Sequence, residues 1–229
     1  MPDTSGKDFS HLFIVTYGRS GSTTLQALLN SIPGYLIRGE HHQAPHFLYQ
    51  YHQTLLADHR RFKDLQEREK NPIGPLTPSN PFFGVDDFSV DVALSEYAKL
   101  ITTTILRPDQ ETRVTGYKEI RWYQPDVLDF IEWLRLVFPG SRFLINSRRH
   151  EDVAQSKWWA QDPDALKKLA RIQETFTEVA QRLDHLAFHV QYEEWNGNPE
   201  AFRSLYEWLD EPFDLEVVGD VLSRYHSFK

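Results

Sequence analysis

The stretch Val15-Thr16-Tyr17-Gly18-Arg19-Ser20-Gly21-Ser22-Thr23-Thr24-Leu25 decides how this chain is read. An apolar run from His11 to Thr16 predicts a strand, and two glycines and a cluster of hydroxyls predict a tight turn after it. Leu25, Leu28 and Leu29 then share one face of a helix. A turn that opens a helix is an anion cradle: the first N–H groups of the helix lack partners within it, and the helix dipole favours negative charge there. Gly18 and Gly21 let backbone come close to a ligand, Ser20, Ser22, Thr23 and Thr24 add donors, and Arg19 adds a guanidinium.

The cradle is not that of an ATP- or GTP-binding loop. That loop reads G-x-x-x-x-G-K-[ST], with a lysine for the terminal phosphates. Here the glycines are too close and Ser22 stands where the lysine would be. The Arg-Ser-Gly-Ser-Thr form at residues 19–23 resembles instead the 5′-phosphosulfate loop of sulfotransferases, which use 3′-phosphoadenosine 5′-phosphosulfate (PAPS) and release PAP. Such a donor requires a second anion site for the 3′-phosphate. Phe143 to Ser156 supplies a candidate: an apolar strand ending at Arg148, with Asp152-Val153 following and Ser156 eight positions beyond the arginine. The pattern is similar to the family's 3′-phosphate signature. A guanidinium can grip a phosphate through two parallel N–H bonds. Arg149 is the rival for that role, and the alignment of Asp152-Val153 favours Arg148.

The chain has 229 residues, no cysteine, one methionine and a formal net charge of −8. Forty per cent hydrophobic residues over that length are enough to bury the core of one α/β domain. The absence of cysteine excludes disulfides and thiolate chemistry. The acidic balance argues against a nucleic-acid partner, whose binding depends on a basic footprint. It does not argue against a local anion site, because net charge governs solubility and steering. No apolar run is long enough for a transmembrane segment, and Met1 to Ser10 is polar. These features lead us to expect a cytoplasmic protein, either a bacterial enzyme or an excised catalytic domain. No motif sets an oligomeric state.

Strands are predicted at His11–Thr16, Tyr35–Arg38, Arg113–Lys118, Arg142–Ser147 and Ala187–Tyr192. Helices are predicted at 22–31, 88–106, Pro125–Phe138, Asp164–Leu183 and Pro199–Leu209. The first strand, helix and second strand read as a compact βαβ unit. The alternation predicts a single domain over 1–229: a P-loop-like three-layer α/β fold with a central parallel sheet flanked by helices. Residues 41–110 stand out as a variable segment, helical at first and then broken by a proline-rich run from Asn71 to Pro81. A long irregular stretch in a compact domain is usually functional or mobile. We expect it to form a lid or acceptor site, where Phe47, Tyr49, Tyr51, Phe82 and Phe83 stack on an acceptor or belong to the core. In open parallel sheets ligands bind beyond the carboxyl ends of the strands. Gly18–Thr24, Glu40, Lys118, Arg148 and Tyr192 are each expected just after a strand.

The family resemblance continues through Gly116-Tyr117-Lys118-Glu119-Ile120-Arg121-Trp122, which looks like the Gly-x-Lys-Glu strand of bacterial members. It implies that Lys118 works with Arg19 on the charge of the leaving phosphate. Val190-Gln191-Tyr192-Glu193-Glu194-Trp195 looks like the family's Tyr-Glu-Asp-Leu stretch and implies Tyr192 near the adenine, with a core tyrosine as the alternative. Small-molecule members place a general-base histidine two residues after the strand lysine, but this chain has Ile120 there. Gly39-Glu40 resembles the bacterial Gly-Glu motif and implies Glu40 as the base, with His41 and His42 as rivals. His42 and His46 have the spacing of a helical metal pair, but Gln43 and Pro45 break the pattern, and no metal is expected. Trp158 and Trp159 read as helix packing rather than as an adenine platform. Leu222 to Ser227 is similar to the C-terminal segment that the family often wraps over the donor.

The resemblance implies transfer of a sulfuryl group to a hydroxylated small molecule or saccharide acceptor. A P-loop small-molecule kinase and a non-catalytic nucleotide-binding module are the alternatives.

Overall fold

The computed structural model describes residues 9–225, without the side chain of Tyr225. Five parallel strands form one sheet: β1 (Leu12–Val15), β2 (Tyr35–Arg38), β3 (Val114–Glu119), β4 (Arg142–Ser147) and β5 (Ala187–Gln191). The helices are α1 (Ser22–Leu29), α2 (Ala44–Glu67), α3 (Val90–Ile101), α4 (Val127–Val137), α5 (His150–Ala154), α6 (Ala165–Leu183), α7 (Tyr192–Trp195), α8 (Arg203–Trp208) and α9 (Leu215–Tyr225). The α/β class, the central parallel sheet and its flanking helices agree with the sequence reading.

The strand order is β2-β3-β1-β4-β5. β1, α1 and β2 form a parallel crossover, as the sequence implied, and β3 is inserted between the two strands. Sequence periodicity assigns strands but not their neighbours. Gly116 is what lets β3 lie so close, since a Cβ there would fall 1.7 Å from the carbonyl oxygen of Leu12. Lys118, expected just after β3, is instead its penultimate residue.

Two hydrophobic layers cover the sheet. One joins Phe13, Val15 and Tyr117 to residues of α3, α4 and α6, with Tyr49 of α2. Its centre is a nest of rings in which Phe130 packs against Tyr49, Trp122 and Trp133 at centroid distances of 5.5–6.0 Å. The other joins Leu12, Ile14 and Leu144 to α1, α8 and α9.

The helix expected over 88–106 ends differently. After α3 the chain widens into a π-turn over Thr102–Leu106. The hydroxyls of Thr103 and Thr104 donate back to the carbonyls of Lys99 and Leu100, a back-bonding that loosens helix ends. Arg38, at the end of β2, closes this terminus by donating to the carbonyls of Leu106 and Arg107.

Within 41–110, α2 is a continuous helix of 24 residues. The irregular stretch after it is tied down at Asp86, whose carboxylate accepts from the Leu76 N–H at 3.1 Å and from Gln66 at 2.8 Å. Those bonds hold the Asp86 pKa below its ordinary value. No helix among the described residues is long and apolar enough to cross a membrane.

Candidate active site

The turn after β1 is braced from inside. Thr16 Oγ1 donates to the carbonyl of Asn146 on the neighbouring strand at 2.9 Å and lies 2.7 Å from Ser20 Oγ. The Asn146 amide donates to Thr16 Oγ1 at 3.2 Å and to the Ser20 carbonyl at 3.1 Å. All three residues are fully buried. The Ser20 hydroxyl thus faces inward as a brace, and what the turn offers outward at this position is its backbone. Ser22 and Thr23 open α1, so their N–H groups belong to the first turn, where no intrahelical partner exists.

The glycines leave room, and the chain's own rings fill it. Gly21 has φ of +84°, the left-handed region, and a Cβ there would lie 2.5 Å from the Tyr192 ring. A Cβ on Gly18 would lie 2.5 Å from Trp158, while Trp159 Nε1 donates to the Gly18 carbonyl at 3.1 Å. Helix packing was therefore an incomplete account of the two tryptophans. Trp159 is buried, but both residues sit on the cradle, carried there by a 3-10 turn over Lys157–Gln161.

Arg19 has φ of +73°, a strained conformation for a residue with a side chain. It turns its Nε to Ser156 Oγ at 2.9 Å. Arg148 approaches from β4, its Nη1 donating to the Arg19 carbonyl at 3.2 Å and its guanidinium lying 4.3 Å from the Tyr192 ring centroid. Tyr17 clips the Arg148 backbone at both ends, donating to its carbonyl at 2.7 Å and accepting from its N–H at 2.8 Å. Burial raises the Tyr17 pKa to about 12, so the phenol keeps the proton that the first bond needs. Neither Arg19 nor Arg148 forms an ion pair with a carboxylate among the described residues, and the buried Nε of Arg148 has no partner. Arg149 has a different environment: its side chain faces solvent and lies 3.9 Å from Asp152.

On the other side of the rim, Lys118 reaches Glu40 at 2.5 Å. The lysine side chain is 5% exposed and the glutamate side chain 40%. Glu119 is buried and turns back under the same loop. Its Oε2 accepts from the N–H of His41 at 3.1 Å and of Gln43 at 2.8 Å, and its Oε1 accepts from the N–H of Ile120 at 2.8 Å. The loop it holds contains two left-handed residues, His42 and Gln43, with φ of +51° and +57°. His46 is 2.8 Å from Asp126, and no cluster of possible metal ligands occurs among the described residues.

The structure thus brings Gly18–Thr24, Arg148, Ser156 and Tyr192 together around one turn and joins Glu40 to Lys118. Sequence reasoning did not single out Tyr17, Asn146 or Glu119. Asn146 had a signal, an amide inside an otherwise apolar strand. Glu119 had one too, an acid following a strand lysine. His226 and Ser227 of the C-terminal segment lie outside the described residues.

The sulfotransferase family profile matches residues 11–215. The chain belongs to the sulfotransferase family. A search of curated protein sequences returns no match. Among solved structures, the sulfotransferase resembles the sulfotransferase domain of the Synechococcus PCC 7002 olefin synthase. The TM-score is 0.51 at 17% identity, over 96% of this chain and 82% of that one. It also matches sulfotransferase STF9 from Mycobacterium avium with a TM-score of 0.47 at 15% identity, over 98% of this chain and 70% of that one. At these identities the likeness to the olefin synthase domain concerns the fold of the sulfotransferase.

Proposed function

We propose that this sulfotransferase takes its sulfuryl group from PAPS and transfers it to the hydroxyl of a small acceptor. The observation that carries the donor assignment is that Arg19 reaches Ser156 and Arg148 reaches the Arg19 carbonyl, with neither guanidinium paired to a carboxylate among the described residues. Two cations and an unpartnered buried Nε beside a helix N-terminus fit a ligand with phosphate at both ends. Arg148 and Ser156 would hold the 3′-phosphate, with Arg19 between it and the 5′ end. The N–H groups of α1's first turn would hold the 5′-phosphosulfate. Tyr192 would act by keeping Arg148 in place, since its ring already packs against Gly21 and that guanidinium.

Sulfuryl transfer resembles phosphoryl transfer: its transition state is loose, and the protein contributes positioning and charge. The donor supplies the activated sulfur. Glu40 accepts the proton of the acceptor hydroxyl as that oxygen bonds to sulfur. The bond from sulfur to the 5′-phosphate oxygen breaks, and its electron pair stays on the phosphate. Lys118 and the first-turn N–H groups balance that charge. The Lys118–Glu40 ion pair couples the two events, because a bound anion gives Lys118 a second partner and frees the carboxylate for the acceptor.

Titration calorimetry tests the donor. PAP is expected to bind at least tenfold more tightly than 5′-AMP, which lacks the 3′-phosphate, on the usual size of a charge-assisted contact. Tighter binding of Mg-ATP than of PAP would overturn the reading in favour of a kinase.

A further inference from the structure

A cavity of about 490 Å³ adjoins the cradle. Two of its lining residues, Trp158 and Trp159, are those that pack on Gly18. A third, Tyr123, lies just beyond the strand that carries Lys118, two residues after Arg121, which bridges to Tyr17. The cavity therefore lies beside the cradle, lined from both the segment after β3 and the turn that follows α5.

Its lining combines aromatic rings with charged side chains. Trp159 and Ile172 are buried, while Trp158 and Tyr123 are each about half exposed, at 52% and 50%. Two large rings left half in water at one cavity are a standing opportunity for a flat ligand. Three charged residues complete the lining. Lys168 is neutralised by Asp162 at 2.5 Å. Arg171 forms no ion pair among the described residues. The cavity thus offers rings and one uncompensated guanidinium, on a protein whose formal charge is −8. It offers no Asn, Gln, Ser or Thr side chain, so apart from the rings its polar side chains are the three charged ones, of which Arg171 alone is uncompensated.

We propose that this cavity binds the acceptor and that the acceptor is an aromatic alcohol or phenol bearing a carboxylate. The aromatic ring stacks with Trp158 and Tyr123, and the carboxylate meets the planar fork of Arg171. The assignment as acceptor rests on reading the cradle as the sulfuryl-donor site; the ligand class rests on the lining alone.

Calorimetry on the full chain, with and without saturating PAP, distinguishes the two. The probes are 4-hydroxyphenylacetate, its neutral analogue 4-hydroxyphenylethanol, and glucuronate. The aryl acid is expected to bind about tenfold more tightly than the neutral analogue, the usual advantage of a charge-assisted contact. Arg171→Gln should remove that advantage and leave the neutral probe unchanged. Tyr123→Ala should weaken both. Tighter binding of glucuronate, or an unchanged preference for the acid in Arg171→Gln, would overturn the proposal. PAP binding without any aryl binding would also overturn it while leaving the donor reading intact. Aryl-acid binding that depends on Arg171 in a protein that does not bind PAP would keep the ligand class and overturn the donor reading instead.

Discussion

On the β4 side of the rim, Thr16, Ser20 and Asn146 are joined by hydrogen bonds in the buried interior, and Tyr17 fixes the backbone of Arg148 at both ends. On the β2 side, Glu40 and Lys118 meet through a single ion pair whose carboxylate is 40% exposed. The first arrangement holds its geometry before any ligand arrives. The second can exchange partners. A transfer enzyme needs both: electrostatic stabilisation works best from groups already in place, whereas a base needs an accessible lone pair and surroundings that tolerate its change of charge.

The largest effect should follow from removing the exchangeable group. Glu40→Gln is expected to lower turnover by about 10²-fold or more, the usual contribution of a positioned base, with PAP affinity kept. Turnover and calorimetry on the same protein check this. Near-normal turnover would break the assignment and move the base to His41 or His42. The Nδ1 of His41 is buried without a partner.

The fixed side is expected to respond in stability. Asn146→Ala leaves the Ser20 carbonyl without the amide that it accepts from, and the Thr16 hydroxyl loses the same donor, all in the buried interior. The loss should be about 2 kcal/mol, within the usual penalty for unsatisfied buried polar groups. Urea unfolding measures it. A change under about 0.5 kcal/mol, typical of an unremarkable surface substitution, would mean that the brace is not what holds the turn.

The same division explains what the sequence made legible. The cradle is a contiguous motif, so its residue types, its glycines and the strand and helix on either side could be read from Val15 to Leu25. The strand Arg142–Ser147 and the strand Tyr35–Arg38 could be placed to the residue because apolar runs ended at turn signals. The brace could not be read, since Thr16 and Asn146 are 130 positions apart and only strand pairing brings them together. Strand order was hidden for a similar reason: which strands become neighbours is decided by tertiary packing that no periodicity encodes. The aromatics of 41–110 divided according to tertiary packing, with Tyr49 in the core and Phe47, Tyr51, Phe82 and Phe83 exposed.

Glu119 joins the two modes of construction, and it carries the smallest of the expected effects. It is buried like the brace and both its oxygens accept backbone N–H groups, yet what it holds is the loop that follows the exchangeable Glu40. In Glu119→Gln one oxygen becomes an amide group that cannot accept from a backbone N–H. Either Ile120 or the pair His41 and Gln43 then loses its acceptor. We expect turnover to fall about tenfold with PAP affinity unchanged, on the size of one hydrogen bond to a charged group. A merely structural role would lower stability without that split. A double-mutant cycle sharpens the point. If Glu119 acts by positioning Glu40, the double variant Glu40→Gln/Glu119→Gln should turn over no more slowly than Glu40→Gln alone, because there is no longer a base to position. If the two losses multiply, Glu119 contributes to the reaction by a route that does not pass through Glu40.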